Sequence, residues 1–158
     1  MKAIFSILTL SLFLGCSIQG KKAEQNIENS VQNKNYKANS DELEFLRKMK
    51  DKYPYEVDLL HNKIVKDRLV KLLGDRFEFI ENISELGPST PIEVSGNIFS
   101  SYTCMQHNCG FTNFIIVADI DKNEIYVGIR EEEKVKIYSE NENSSLPEVL
   151  INWSVNKN

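Results

Sequence analysis

The six residues Cys104-Met105-Gln106-His107-Asn108-Cys109, followed by Gly110, concentrate the reactive side chains of this 158-residue chain. Two thiols this close can do three things. Oxidised, they close a short ring. Reduced, they could join His107 as zinc ligands. As a redox pair they could exchange disulfides, but four residues lie between them rather than the two of Cys-x-x-Cys, so that reading is weak. An imidazole at the middle of the segment can donate a hydrogen bond from one ring nitrogen and, when neutral, accept one at the other.

The compartment decides between these, and the N-terminus reports the compartment. Met1-Lys2-Ala3 precedes an apolar run from Ile4 to Leu14, then Gly15-Cys16. One positive charge before a short apolar core is the pattern of a secretory signal. The run falls short of the roughly 20 residues a membrane span requires. Phe13-Leu14-Gly15-Cys16 resembles a lipobox, with Phe13 bulkier than the usual Leu. Residues 1–15 are therefore expected to be an export signal, and Cys16 a lipid-bearing N-terminus. Each buried acyl CH₂ contributes about 0.8 kcal/mol, so two chains anchor firmly. Ser17 follows the cysteine, with no Asp to signal inner-membrane retention. The expected address is the outer membrane, periplasmic side, in a two-membrane organism. Export favours oxidation, so Cys104 and Cys109 are expected to form a disulfide and zinc is disfavoured. A purely structural staple is the plain alternative.

Little else in the chain suggests chemistry. No Ser/His/Asp grouping, phosphate-binding loop or pair of catalytic carboxylates stands out, so an enzyme is not expected, nor a cofactor or metal. His61 falls in a helical stretch and reads as a surface or boundary residue. The formal net charge is −4, and loss of Lys2 with the signal makes it one unit more negative. That argues against nucleic acid and favours a cationic partner. A homodimer is compatible with the sequence.

The elements that must hold the segment divide in two. Residues 16–40 are polar and rich in Asn, Gln and Lys, and read as a flexible tether. A domain over 41–158 then opens with helical patterns. Asp41 with Glu44 suggests a capped start, and Leu43, Leu46 and Met49 share one face. A second helix is expected from about Glu56 to Leu73, with Leu60, Ile64, Leu69, Leu72 and Leu73 as its stripe and Gly74 beyond its end. A third is expected over Asp75 to Ile83. After Gly87-Pro88 the pattern turns to strands: 92–94, 98–102, 114–120, 124–130 and 134–138. Ile125, Val127 and Ile129 fall on one face, and Val135 and Ile137 point inward. Ser145 and Pro147 could open a last helix through Trp153. Tyr126, Tyr138 and Trp153 read as core or sheet-face aromatics. Helices first and hairpin-linked strands after make an α+β fold: an antiparallel sheet of about five strands, helices packed on one face, and a protruding loop closed by Cys104 and Cys109.

Cys-x-x-His-x-Cys-Gly between two strands resembles the inhibitor of vertebrate lysozyme (Ivy) family, whose typical loop is Cys-Lys-Pro-His-Asp-Cys. The likeness covers about Leu60 to Tyr138 and at its widest reaches Trp153. It implies a disulfide loop inserted into a lysozyme active-site cleft, with His107 engaging the enzyme's two catalytic carboxylates and Met105, Gln106, Asn108 and Gly110 around it. Met105 stands where Lys is usual, Gln106 where Pro is, and Asn108 where Asp is. The implied partner is a lysozyme or related peptidoglycan hydrolase. The rim acids Asp119, Asp121, Glu124 and Glu131-Glu132-Glu133 could steer the chain to a basic enzyme; hairpin connectivity predicts that only some of them share the loop's end. An immunity protein against a cell-wall toxin, or an envelope adhesion or assembly module, are the rival readings.

Overall fold

The computed structural model describes residues 41–156. The export signal, Cys16 and the tether over 16–40 lie outside the described residues.

The chain enters through a 3-10 helix, Glu44–Met49, rather than the capped α-helix expected from Asp41. No side chain caps it; Glu44 pairs with Arg47 at 2.9 Å instead. Leu43, Leu46 and Met49 are nonetheless all buried, as their spacing requires. The helix expected over Glu56 to Leu73 is broken in two. Asp58 takes a left-handed φ of 47°, leaving a single 3-10 turn at Leu59–His61. Helix α1, Lys63–Leu73, starts afresh because the Asn62 side chain accepts from the backbone N–H groups of Ile64 and Val65 at 3.2 and 3.3 Å. Gly74, at φ +56°, ends it. Helix α2, Arg76–Leu86, runs one turn past the expected Ile83 and buries Phe77, Ile80 and Ile83.

Five strands follow: β1 Glu93–Ser95, β2 Ile98–Cys104, β3 Thr112–Asp119, β4 Glu124–Glu131 and β5 Lys134–Ser139. They form one antiparallel sheet in sequence order, so each strand hydrogen-bonds the next. The alternation of side chains splits the core between the sheet's faces. Phe99, Phe114, Ile116, Ala118, Ile125, Val127 and Ile129 face the two α-helices and the 3-10 turns. Ile115, Val117 and Tyr126 face the other way, where helix α3, Glu148–Val155, lays Leu150 and Trp153 over them. Helices thus pack on one face as the pattern predicts, and the C-terminal helix adds a cover to the other. Every residue of β3 is buried as a result, which is why 114–120 reads as a continuous apolar run. Val135 and Ile137 of β5 pack towards α3 and remain half-buried. Among the described residues, no helix is long and apolar enough to cross a membrane.

Candidate functional site

β2 and β3 pair down to Cys104 opposite Asn113, and the chain between them leaves the end of the sheet as a loop. The loop turns back on its first residue, so that Cys104 at the end of β2 and Cys109 within the loop are joined, their Cα atoms 4.8 Å apart. So short a ring removes roughly 2 kcal/mol of unfolded-state freedom on the chain-entropy estimate. The joined sulfurs cannot ligate a metal as thiolates. No group of three His, Cys, Asp or Glu side chains among the described residues could hold one.

The loop satisfies its own backbone. Met105 N–H donates to Thr112 O at 2.9 Å, which keeps the two limbs abreast. Asn108 N–H donates to Met105 O at 3.0 Å and closes a turn over Gln106 and His107. His107 takes φ +62°. A type II turn demands a positive φ at that third position and accepts proline at the second, where Gln106 sits. Histidine is among the few non-glycine residues that visit this region with some frequency. Asn108 is the loop's internal node. Its carbonyl accepts from Phe111 and Thr112 N–H at 3.0 and 2.8 Å, and its amide donates to Thr112 Oγ1 at 2.9 Å. With the backbone so occupied, the side chains of Met105, Gln106 and His107 stand in solvent. Asn108 and Gly110 are half-buried.

Beneath the loop the supports are buried. The Asn113 side chain, 2% exposed, donates to Cys109 O at 2.7 Å and accepts from Trp153 Nε1 at 3.1 Å. The indole lies against Gly128, where a Cβ would fall 2.2 Å from the ring. Arg130, also buried, stacks over the indole at 5.2 Å and donates to the carbonyls of Trp153 and Asn156 at 2.8 and 3.0 Å. A cation at a helix C-terminus meets the negative end of its dipole. On the other side, Cys104 N–H donates to Pro88 O at 3.0 Å, and Ser89 and Thr103 hydroxyls meet at 2.9 Å. Gly87 butts against the loop's root: a Cβ there would lie 2.0 Å from Cys104 O.

The register settles which acids share this end. Thr112 pairs with Glu131, and Glu131 with Lys134, so the Glu131-Glu132-Glu133 turn stands beside the loop. Glu131 meets Arg76 at 2.5 Å, whereas Glu132 and Glu133 are exposed and make no ion pair among the described residues. Asp119, Asp121 and Glu124 lie at the opposite end, where Asp119 pairs with Glu124 across the β3–β4 turn. Arg47 takes Asp121 at 2.8 Å, and Lys122 takes Asp119 at 3.1 Å. Burial pushes the Asp119 carboxyl up, but hydrogen bonds from Lys122 and Asn97 outweigh it and hold it below the ordinary carboxylate range. Burial acts likewise on Glu124, and the hydroxyls of Tyr126 and Ser144 with the Asn141 amide outweigh it. The Tyr126 phenol is pushed up, first by burial and then by Glu124.

The sequence therefore picks out His107, Met105 and Gln106 as exposed loop residues, and the structure sets them together. His61 is exposed, between Asp58 at 2.6 Å and Glu81 at 3.3 Å. Two residues escape sequence reasoning. Phe111 falls between the cysteine-bounded segment and the strand expected over 114–120, and it is 60% exposed in the loop. Asn113 precedes the expected strand, and only its place in β3 opposite Cys104 and its bonds to Cys109 O and Trp153 Nε1 give it a role.

Residues 64–158 match the family model described as inhibitor of vertebrate lysozyme (Ivy). Neither the curated proteins nor the solved structures yield a match.

Proposed function

The chain belongs to the inhibitor of vertebrate lysozyme family, a family of lysozyme inhibitors, and on that footing we propose that it is a lipid-anchored envelope protein that plugs a muramidase's active-site cleft with the Cys104–Cys109 loop. The observation that carries the reading is His107 exposed at the loop's turn while the backbone around it is bonded within the loop. Hydrolysis of a glycosidic bond by the two-carboxyl route needs one protonated and one ionised group flanking the bond. A neutral imidazole reaching between them can donate to the ionised oxygen and accept from the protonated one. The same loop fills the space a sugar would occupy. Its disulfide and turn are already set, so little freedom is lost on entry, and affinity rises by the cost avoided. Glu132 and Glu133 beside the loop would draw it towards a basic enzyme. The partner is a lysozyme-type hydrolase, met where Cys16 holds the protein at the outer membrane's periplasmic side by the tether over 16–40. The rest, 41–158, is the inhibitory domain.

Two measurements test this. In a cell-wall lysis assay with a c-type lysozyme, the purified protein should block lysis. His107→Asn, which keeps a residue tolerant of positive φ, should fold and lose at least about a hundredfold in inhibition, the size of a central hot spot. Full inhibition by His107→Asn would rule out the plug. For the anchor, Cys16→Ser should move the protein from the membrane to the soluble fraction and abolish acyl labelling. An unlabelled wild-type protein would rule the anchor out.

A further inference from the structure

Seven large apolar side chains stand exposed among the described residues, and two of them, Met105 and Phe111, belong to the one cross-linked loop. Phe111 is 60% exposed and Met105 39%. By contrast Phe77, Phe99 and Phe114 are buried in the core. Water contact at Phe111 is not a consequence of a loose segment. Its N–H donates to Asn108 O at 3.0 Å, and the next residue donates to the same carbonyl at 2.8 Å. Met105 is fixed through its N–H to Thr112 O at 2.9 Å. That bond brings the start and end of the loop together, so Met105 and Phe111 stand on facing limbs, with His107 at the turn between them.

We propose that Met105 and Phe111 are the apolar shoulders of the inhibitory loop, seated on the walls of the muramidase's glycan-binding cleft while His107 meets its carboxyl floor. This rests on the plug reading and adds a partner surface to it. The chemistry of such a cleft suits the division. A pocket that takes sugar rings carries apolar and aromatic walls with a few convergent polar groups. A phenyl face offers the same walls a flat apolar partner. Phenylalanine has only two side-chain torsions to order, and methionine adapts its shape to the wall opposite. Where a rigid backbone presents an aromatic beside a polar tip, the aromatic is the expected anchor of the interface.

The test is a lysozyme titration with the full protein at low and at high salt. Phe111→Ser should raise Kd about 10- to 100-fold, in the hot-spot range. The factor should be the same at both salt concentrations, because an apolar contact is not screened. Phe111→Tyr should stay within about threefold of the wild type, and Met105→Ala should cost several-fold. The unfolding midpoint of Phe111→Ser should match the wild type, since an exposed side chain contributes little to folding. If Phe111→Ser binds within twofold of the wild type while His107→Asn has lost inhibition, the shoulders are wrong and the plug stands. Phe111→Tyr binding as poorly as Phe111→Ser would also overturn the apolar contact. A wild-type protein that inhibits no muramidase brings down both.

Discussion

The two ends of the sheet are built from similar residues and treated in opposite ways. At the end carrying the β3–β4 turn, Asp119, Asp121 and Glu124 are each met by a cation or by hydroxyl and amide donors. Arg47 there also reaches Gly96 O at 2.6 Å, tying the β1–β2 turn to the same network. At the loop end, Glu132 and Glu133 are left open, His107 stands in water, and Met105 and Phe111 expose apolar surface. Yet the loop end is no less ordered beneath: Asn113, Trp153 and Arg130 are buried and bonded under it. One end spends its polar groups on itself; the other satisfies its backbone and keeps its side chains for a partner. Unsatisfied surface on a satisfied frame is what distinguishes a binding end from a merely irregular one.

Several changes would break or sharpen that contrast. Among these, the largest loss of inhibition is expected from Cys104→Ser with Cys109→Ser. Stability should fall by roughly 2 kcal/mol, seen as a lower urea midpoint, and inhibition should weaken more than tenfold because the loop must then order on binding. Unchanged inhibition would mean that the ring does not shape the site. Next, Asn113→Ala strands the Trp153 indole N–H and leaves Cys109 O with the Tyr102 hydroxyl at 3.4 Å, and a buried group left unpaired costs about 1–3 kcal/mol. Both the unfolding midpoint and the inhibition should drop. Arg47→Ala, at the other end, should leave inhibition as it was; parallel losses from both variants would dissolve the distinction between the ends.

Acid should act on the end that carries the β3–β4 turn. The Asp119 and Glu124 carboxyls sit below their ordinary range in the folded chain. Their contribution is therefore complete above about pH 4–5, near their unfolded values, and is lost as pH falls through the folded values. Thermal unfolding in this window should shift downwards, and Asp119→Asn should flatten the shift. An equal acid sensitivity in Asp119→Asn would remove that carboxyl from the account. The smallest effect is expected from Glu132→Gln with Glu133→Gln: association should slow a few-fold at low salt and not at high salt. A change in the dissociation rate instead would place these acids in the contact rather than in the steering field.

Much of this contrast is legible in the sequence, but unevenly. Alternation at Ile125, Val127 and Ile129 yields the β4 face, and the flanking cysteines yield the closed loop. The helix expected from Glu56 fails at Asp58, whose left-handed backbone no periodicity registers, and restarts at Asn62, whose cap competes with the apolar stripe. Phe111 lies ahead of the strand expected over 114–120, and its exposure and its bond to Asn108 are read only from the structure; β3 itself begins at Thr112, two residues early. Which acids flank the loop depends on cross-strand register, as Thr112 against Glu131 shows, and connectivity alone predicts only that the turns alternate.

Trp153 is the chain's single tryptophan, and its indole N–H ends on the side chain that also holds Cys109 O. The molecule therefore carries its own optical gauge of the loop. Emission from one indole reads the polarity and hydrogen bonding at the loop's underside without a label. Opening the disulfide or seating the loop in an enzyme that is itself free of tryptophan signal should shift that emission, so occupancy can be followed in real time from the supporting side rather than the contacting one.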